Sequence, residues 1–362
     1  MKIVLIAGAN CIHTTRWANG LASRGVEVHL ISAHDNAHEV DSRVQLYILN
    51  TQAPLGYFTN LFEVKVLLKQ IQPDLVNAHY ATGYGLLARL VGFQPTLLSV
   101  WGSDVYDFPK KSFLHRWLLK GNLQAATAVG STSHCMARKT AETFQHSLMF
   151  ITPFGIDENI FSCKETAKEK TKLVIGTVKT LSNKYGVDTL IEAFALVVKN
   201  HTNPNQLVLE ITGGGPDFDS LRTLAISLDV EKQVVFHGAV SHERVPELLN
   251  RLDIYVALSR LDSESFGVAI LEASACEKPV VVSDADGPAE ITIDEKTGFI
   301  VPSENPQAAA DAILKLVKDK ELRAQMGQAG RLHVLEHYTW DRSLDLMMDA
   351  YNKVINLQVF NE

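Results

Sequence analysis

Cysteine is scarce. The four residues, Cys11, Cys135, Cys163 and Cys276, are widely spaced and form no C-x-x-C pair. This argues against a disulfide framework or a cysteine-built zinc site and fits a reducing compartment. Long apolar runs are missing too. The uncharged stretch 121–137 is full of Thr, Ser, Asn and Gln, so it does not read as a membrane-spanning helix. Met1-Lys2 and the apolar run behind them lack a secretory cleavage site and read as a first strand. Two phosphate-binding signatures are also absent. No G-x-x-x-x-G-K-[ST] occurs, which excludes a P-loop nucleotidase. Gly213-Gly214-Gly215 meets Phe218 where G-x-G-x-x-G needs its third glycine, and Gly8 meets Asn10 where it needs its second. A nicotinamide-dependent oxidoreductase is thereby disfavoured.

Hydrophobic residues make up 46% of the 362 and charged residues 21%, which excludes a disordered chain. The length allows two domains. A net charge of −7 argues against a general nucleic-acid binder. That charge is uneven, +4 over residues 1–155 and −11 over the rest, as expected of two domains in different surroundings.

Short β-branched runs alternate with helical patterns. Strands are expected at 3–6, 26–31, 75–78 and 96–100, with helices at 17–24, 61–70 and 85–91 between them. A polar Lys/Glu-rich stretch at 162–172 interrupts the alternation. It resumes with strands at 173–178, 207–212, 234–237, 254–257 and 280–283, and closes on helices at 308–317, 320–336 and 343–355. The pattern predicts two doubly wound parallel α/β units facing a central cleft. Ligand-binding residues belong just after the strands. The expected bounds are an N-terminal Rossmann-like domain over 1–160, a linker over 161–172, a C-terminal Rossmann-like domain over 173–338, and a C-terminal helix over 339–362 that crosses back to the first domain.

Glu264-Ser265-Phe266-Gly267-Val268-Ala269-Ile270-Leu271-Glu272 sets two carboxylates eight positions apart across a loop-to-helix junction. Gly267 lets backbone approach a ligand, and the new helix offers free N–H groups to a phosphate. Glu272 is expected about two turns into that helix. Two carboxylates at the ends of a ligand would accept hydrogen bonds from hydroxyls, as sugars require. An ordinary helix with a charged N-terminus and a solvated Glu272 fits the same residues.

This segment, followed by Glu272-Ala273-Ser274-Ala275, the Pro279-Val280-Val281 strand, Glu290 and Thr297-Gly298-Phe299, resembles the family-four retaining glycosyltransferases of the GT-B fold. Gly176-Thr177-Val178-Lys179, Lys184-Tyr185-Gly186, Gly213-Gly214-Gly215-Pro216, Phe236-His237-Gly238 and Leu258-Ser259 agree in order. The resemblance implies that Glu272 binds ribose hydroxyls and Glu264 the transferred sugar, while Lys179 and Lys184 hold the diphosphate. It also implies that Phe266, Gly267, Val268, Gly214, His237, Gly238 and Ser259 line the donor pocket. Three departures stand out: Lys179 where the family has Arg, Tyr185 inserted before Gly186, and Trp101 where the family has a His that contacts the sugar. His13, Arg16, His79, Trp101 and Asp104, on loops after N-terminal strands, are the acceptor-side candidates, and each also fits a structural role.

Asp284-Ala285-Asp286 resembles a D-x-D metal motif, but its place after a strand and before Gly287 reads as a polar loop, and no metal is expected. Residues 108–141 hold no acidic residue. They combine Lys110, Lys111, Arg116, Lys120, Arg138 and Lys139 with Phe108, Phe113, Leu114, Trp117, Leu118 and Leu119. An anionic membrane surface and packing on the chain's own domain both account for that mixture. The resulting expectation is a retaining glycosyltransferase of cell-surface polysaccharide synthesis, cytoplasmic and peripheral on the inner face of the cell membrane. It takes a UDP- or GDP-sugar and a glycan or lipid-linked acceptor, with no cofactor and no nucleic acid. An epimerase of the same fold and a non-catalytic nucleotide-sugar binding subunit are the alternatives.

Overall fold

The computed structural model describes residues 1–35, 38–164 and 172–359. Residues 165–171, most of the expected linker, lie outside them. The chain forms two compact units, one of Met1–Phe154 with Asp341–Glu362, the other of Gly155–Trp340.

The first unit is built on seven strands: β1 (Lys2–Ile6), β2 (Glu27–Ser32), β3 (Gln45–Ile48), β4 (Leu75–His79), β5 (Thr96–Val100), β6 (Ala128–Ser131) and β7 (Met149–Ile151). They pair in the order β3-β2-β1-β4-β5-β6-β7, all parallel. The central strands are buried on both faces, so they read as continuous apolar runs. Ile3, Leu5, Val76, Leu87 and Leu98 are closed to solvent. The helix Leu61–Ile71 stops at Gln72, left-handed at φ 52°, and Gly83–Val91 stops at Gly92, φ 72°. The final helix, Trp340–Val359, belongs to this unit from Asp341 onward. It is fastened by Asn77 Nδ2 donating to Tyr351 Oη (2.8 Å) and by Arg24 paired with Asp341 and Asp345.

The second unit holds β8 (Leu173–Val178), β9 (Leu207–Thr212), β10 (Val234–Gly238), β11 (Ile254–Ala257), β12 (Val280–Ser283) and β13 (Gly298–Val301). Their order is β10-β9-β8-β11-β12-β13, again all parallel. Ile175, Phe194, Ile211, Val256 and Ile313 form part of its core. Both sheets therefore wind outward from an inner pair, β1/β4 and β8/β11. The ends of those pairs are the topological switch points, where ligands of open α/β sheets bind.

The sequence pattern missed β3, β6, β7 and β13. β3 is a largely exposed edge strand of four residues, and β6 is Ala-Val-Gly-Ser. Such segments carry too little apolar signal and become strands through their neighbours.

Candidate active site

In the second unit, β8 ends at Val178 and delivers Lys179, and β11 ends at Ala257 and runs into the loop that carries Glu264. The two strands are hydrogen-bonded neighbours, so residues 85 apart in sequence meet. Lys179 Nζ lies 2.6 Å from Glu264 Oε1, with side chains 11% and 12% exposed. Burial alone would lower the Lys179 pKa, but the Glu264 carboxylate, with Tyr255 and Tyr185 beside it, raises the pKa above its ordinary value. Lys179 therefore stays an ammonium.

Tyr185 lies under both lysines. Lys179 Nζ is 4.8 Å and Lys184 Nζ 5.4 Å from its ring centroid. Tyr255, at the centre of β11, is fully buried and donates to the Val178 carbonyl (3.3 Å). Burial pushes its phenol up to about 12, with Glu272 and Glu264 adding to the rise and Lys179 opposing it. Glu272 is 5% exposed and bonds through Oε1 to His242 Nε2 at 3.0 Å. The helix carrying Glu272 begins only at Val268, so Glu272 lies just over one turn in, not two. Gly267 is spent on the left-handed entry, φ 89°.

Glycines let these loops approach one another. A Cβ on Gly213 would stand 1.8 Å from the Lys179 carbonyl oxygen, and one on Gly215 2.1 Å from that of Leu181. A Cβ on Gly287 would stand 2.2 Å from the Glu264 carbonyl oxygen. The triple-glycine turn thus presses on the Lys179 loop, and Gly287 on the Glu264 loop. Gly214 accepts from Leu181 N (2.9 Å), and Gly213 N donates to the Gly238 carbonyl (2.9 Å).

The other donor-side candidates divide. Phe266 is buried edge-on against Tyr338, Val268 is half-buried, and Gly238 has open space where a Cβ would stand. Ser259 is fully buried, and its hydroxyl has no hydrogen-bond partner among the described residues. His237 bonds to Glu210 (3.0 Å), which also takes Arg251 (2.8 Å). Asp284 accepts from the Ser303 amide and hydroxyl. Among the described residues no group of three or more His, Cys, Asp or Glu is placed to hold a metal.

In the first unit, His79 ends β4, Trp101 follows β5, and His13 lies in the first turn of the helix after β1. His13 stacks on Phe154 (4.3 Å between centroids), and Trp101 touches Phe154, His79 and His13. His79 is 1% exposed, and neither ring nitrogen has a partner among the described residues. Burial lowers its pKa to about 3. Asp104, fully buried, accepts from the backbone N–H groups of Ala81, Trp101 and Gly102. Burial still raises its pKa against those bonds. Arg16 is half-buried on the same helix as His13.

The basic segment folds into the helix Phe113–Ala125, capped by Ser112, and the helix His134–Ala141. Leu119 and Leu123 are buried, but Phe113, Leu114 and Trp117 are 80%, 70% and 57% exposed. Among the described residues no helix is long and apolar enough to cross a membrane.

Sequence spacing did not single out Tyr255, His242 or Arg260. Arg260 donates to Asp188 (2.6 Å) and to the Asn183 carbonyl (2.9 Å). Each of the three meets partners far away in sequence. Only the position of Arg260, directly after Leu258-Ser259, offered a hint.

Two family models match the chain. One, described as glycosyl transferases group 1, covers residues 159–333, and the other, glycosyl transferase 4-like, covers residues 2–133. N-acetyl-alpha-D-glucosaminyl L-malate synthase of Bacillus anthracis is 24% identical, over 96% of this chain and 94% of that protein. The GDP-mannose-dependent alpha-(1-6)-phosphatidylinositol monomannoside mannosyltransferase of Mycobacterium tuberculosis is 31% identical, over 54% of this chain and 53% of its own length. Among solved structures, sucrose-phosphate synthase from Thermosynechococcus elongatus superposes with a TM-score of 0.84 at 19% identity, over 99% of this chain and 100% of that one. Anabaena HepE, solved with UDP and glucose, superposes with a TM-score of 0.78 at 18% identity, over 98% of this chain and 100% of that one. These likenesses give the fold as GT-B.

Proposed function

This chain belongs to the family-four glycosyltransferases, and on that premise we propose that it moves a hexose or N-acetylhexosamine from a UDP- or GDP-sugar to a glycan or lipid-linked acceptor. The anomeric configuration is retained, and the product serves cell-surface polysaccharide synthesis. The observation that carries the reading is the Lys179–Glu264 pair at the β8/β11 switch point, with Lys184 sharing the Tyr185 ring.

A departing nucleoside diphosphate gathers negative charge, and a positioned donor is worth about 3–4 kcal/mol in stabilising it. Lys179 and Lys184 supply the positive charge that balances it, so the reaction needs no cofactor. Glu264 spends one oxygen on Lys179 and keeps the other for a hydroxyl of the transferred sugar. Glu272 takes the ribose hydroxyls. His237, Gly214, Gly238, Ser259, Phe266, Gly267 and Val268 are the remaining donor-side residues.

Retention is what the family-four resemblance implies, and two lysines beside the departing diphosphate suit it, because they stabilise the leaving group directly. With retention, the acceptor oxygen attacks on the face the diphosphate leaves. The acceptor's proton passes to the departing phosphate oxygen, the C1–O bond to phosphate breaks and the new C1–O bond forms. His13, Arg16 and Trp101 are the acceptor-side residues. The helix Phe113–Ala125, with Phe113, Leu114 and Trp117 exposed beside Lys110, Lys111, Arg116 and Lys120, rests on the anionic inner face of the cell membrane.

A thermal-shift screen of UDP-, GDP- and ADP-sugars tests the donor, since a ligand bound only by the folded state raises the melting temperature. Proton NMR of the product then reads the anomeric configuration. A stabilising UDP- or GDP-sugar and a retained product are expected. An inverted product, or release of a free epimerised sugar without transfer, would contradict the reading.

A further inference from the structure

We infer that Tyr185 is a positioning residue, whose ring holds the ammonium groups of Lys179 and Lys184 in place for a diphosphate. The inference rests on the donor-site reading above and adds a part to it. Tyr185 stands between Lys184 and Gly186. Both ammonium groups lie within the roughly 6 Å at which a cation is attracted to a ring face. Long flexible lysines lose rotamer freedom when a ligand immobilises them, and a surface that orders them beforehand removes part of that cost. Bringing two like charges to one ring is unfavourable by itself. Glu264 offsets the charge of Lys179, and a bound diphosphate would offset both.

The ring is mounted on a fixed turn. Residues Asn183–Tyr185 form one turn of 3-10 helix, closed by Tyr185 N donating to the Ser182 carbonyl (2.9 Å). Gly186 leaves it in the left-handed region, φ 61°, where a Cβ would stand 2.0 Å from the Leu258 carbonyl oxygen. Arg260 clamps the turn from outside. Its backbone N–H donates to the Lys184 carbonyl (2.9 Å) and its guanidinium to the Asn183 carbonyl (2.9 Å) and Asp188 (2.6 Å). The half-buried ring also packs on the core of the unit. The ring is thus held in place beside both ammonium groups.

A ring face is what the lysines use, so Tyr185→Phe should keep the effect and Tyr185→Leu should lose it. Calorimetry with UDP and GDP on the full chain reads one consequence. The better-bound nucleotide should keep its affinity within twofold in Tyr185→Phe and bind about fivefold or more weakly in Tyr185→Leu. Acylation of lysines by acetic anhydride, followed by mass spectrometry on the ligand-free protein, reads the other. Lys184 should react about threefold or more faster in Tyr185→Leu, because the ring no longer covers its ammonium group. Tyr185→Met replaces Tyr185→Leu if the latter fails to fold. Unchanged affinity together with unchanged acylation overturns the inference, as does a Tyr185→Phe as weak as Tyr185→Leu. If the wild type binds neither nucleotide, the donor-site reading falls and acylation alone decides whether Tyr185 orders the lysines.

Discussion

Lys179 and Glu264 cannot be varied independently. They are nearly closed to solvent and 2.6 Å apart, so removing one strands the other. For a fully buried pair that costs about 3–5 kcal/mol, and this slightly open pair should lose somewhat less. Lys179→Ala is expected to cut turnover about a hundredfold or more, as loss of a charge-stabilising donor does, with a smaller effect on donor binding. It should also lower the melting temperature. The double variant Lys179→Met/Glu264→Gln should regain much of the stability and none of the turnover, which separates the two effects in one melting-and-kinetics series. His79 makes a second prediction at this scale. Its folded pKa of about 3 lies below the ordinary 6.5. Between those values the unfolded chain binds the proton and the folded chain does not, so this group's stabilisation is complete above about pH 6.5 and lost as pH falls toward 3. The slope is about 1.4 kcal/mol per pH unit. Urea melts from pH 7 to 4 should show a shallower acid dependence in His79→Met than in the wild type, and parallel curves would contradict the burial argument.

At the scale of elements, loops after strands carry the chemistry and glycines set how closely those loops approach. Gly287→Ala is expected to push a Cβ into the Glu264 carbonyl. The cost should be about 1–3 kcal/mol of stability, and donor affinity should fall although the alanine itself need not touch donor. Calorimetry with UDP and GDP beside a melting curve checks both. The helix Phe113–Ala125 makes a different prediction. Near an anionic surface each Lys or Arg contributes about 1 kcal/mol. Changing Lys110, Lys111 and Arg116 to Glu should therefore abolish sedimentation with anionic vesicles, while a wild type that never sediments with them would remove the membrane from the account. Much of this level was legible in sequence. β5, β8, β9, β11 and β12 fall on the predicted residues because parallel strands buried on both faces form continuous apolar runs. β6 was not legible, since Ala-Val-Gly-Ser is made a strand by β5 and β7 beside it. The site followed the same rule. Glu264 and Glu272 stood out as candidates by their spacing and Lys179 by the resemblance, whereas Tyr255, His242 and Arg260 acquire meaning only from partners that the fold brings to them. His237 stood in the right motif, but the sequence held no sign of its bond to Glu210.

At the scale of the whole molecule, two units with the same inner strand order carry opposite formal charge, +2 for Met1–Phe154 with Asp341–Glu362 and −9 for Gly155–Trp340. The acidic unit carries the proposed diphosphate site. Net charge therefore does not attract the donor, and the site must rely on local cations, with Glu272 supplying a contact to ribose that charge attraction to phosphate cannot replace. Calorimetric titration of UDP and GDP into wild type and Glu272→Ala is the most direct test. Charge-assisted hydrogen bonds to ribose are worth roughly 1.5–3 kcal/mol each. The account predicts that the better-bound nucleotide loses affinity by about tenfold or more in Glu272→Ala, with the circular dichroism spectrum unchanged. Equal affinity in the two proteins would contradict it.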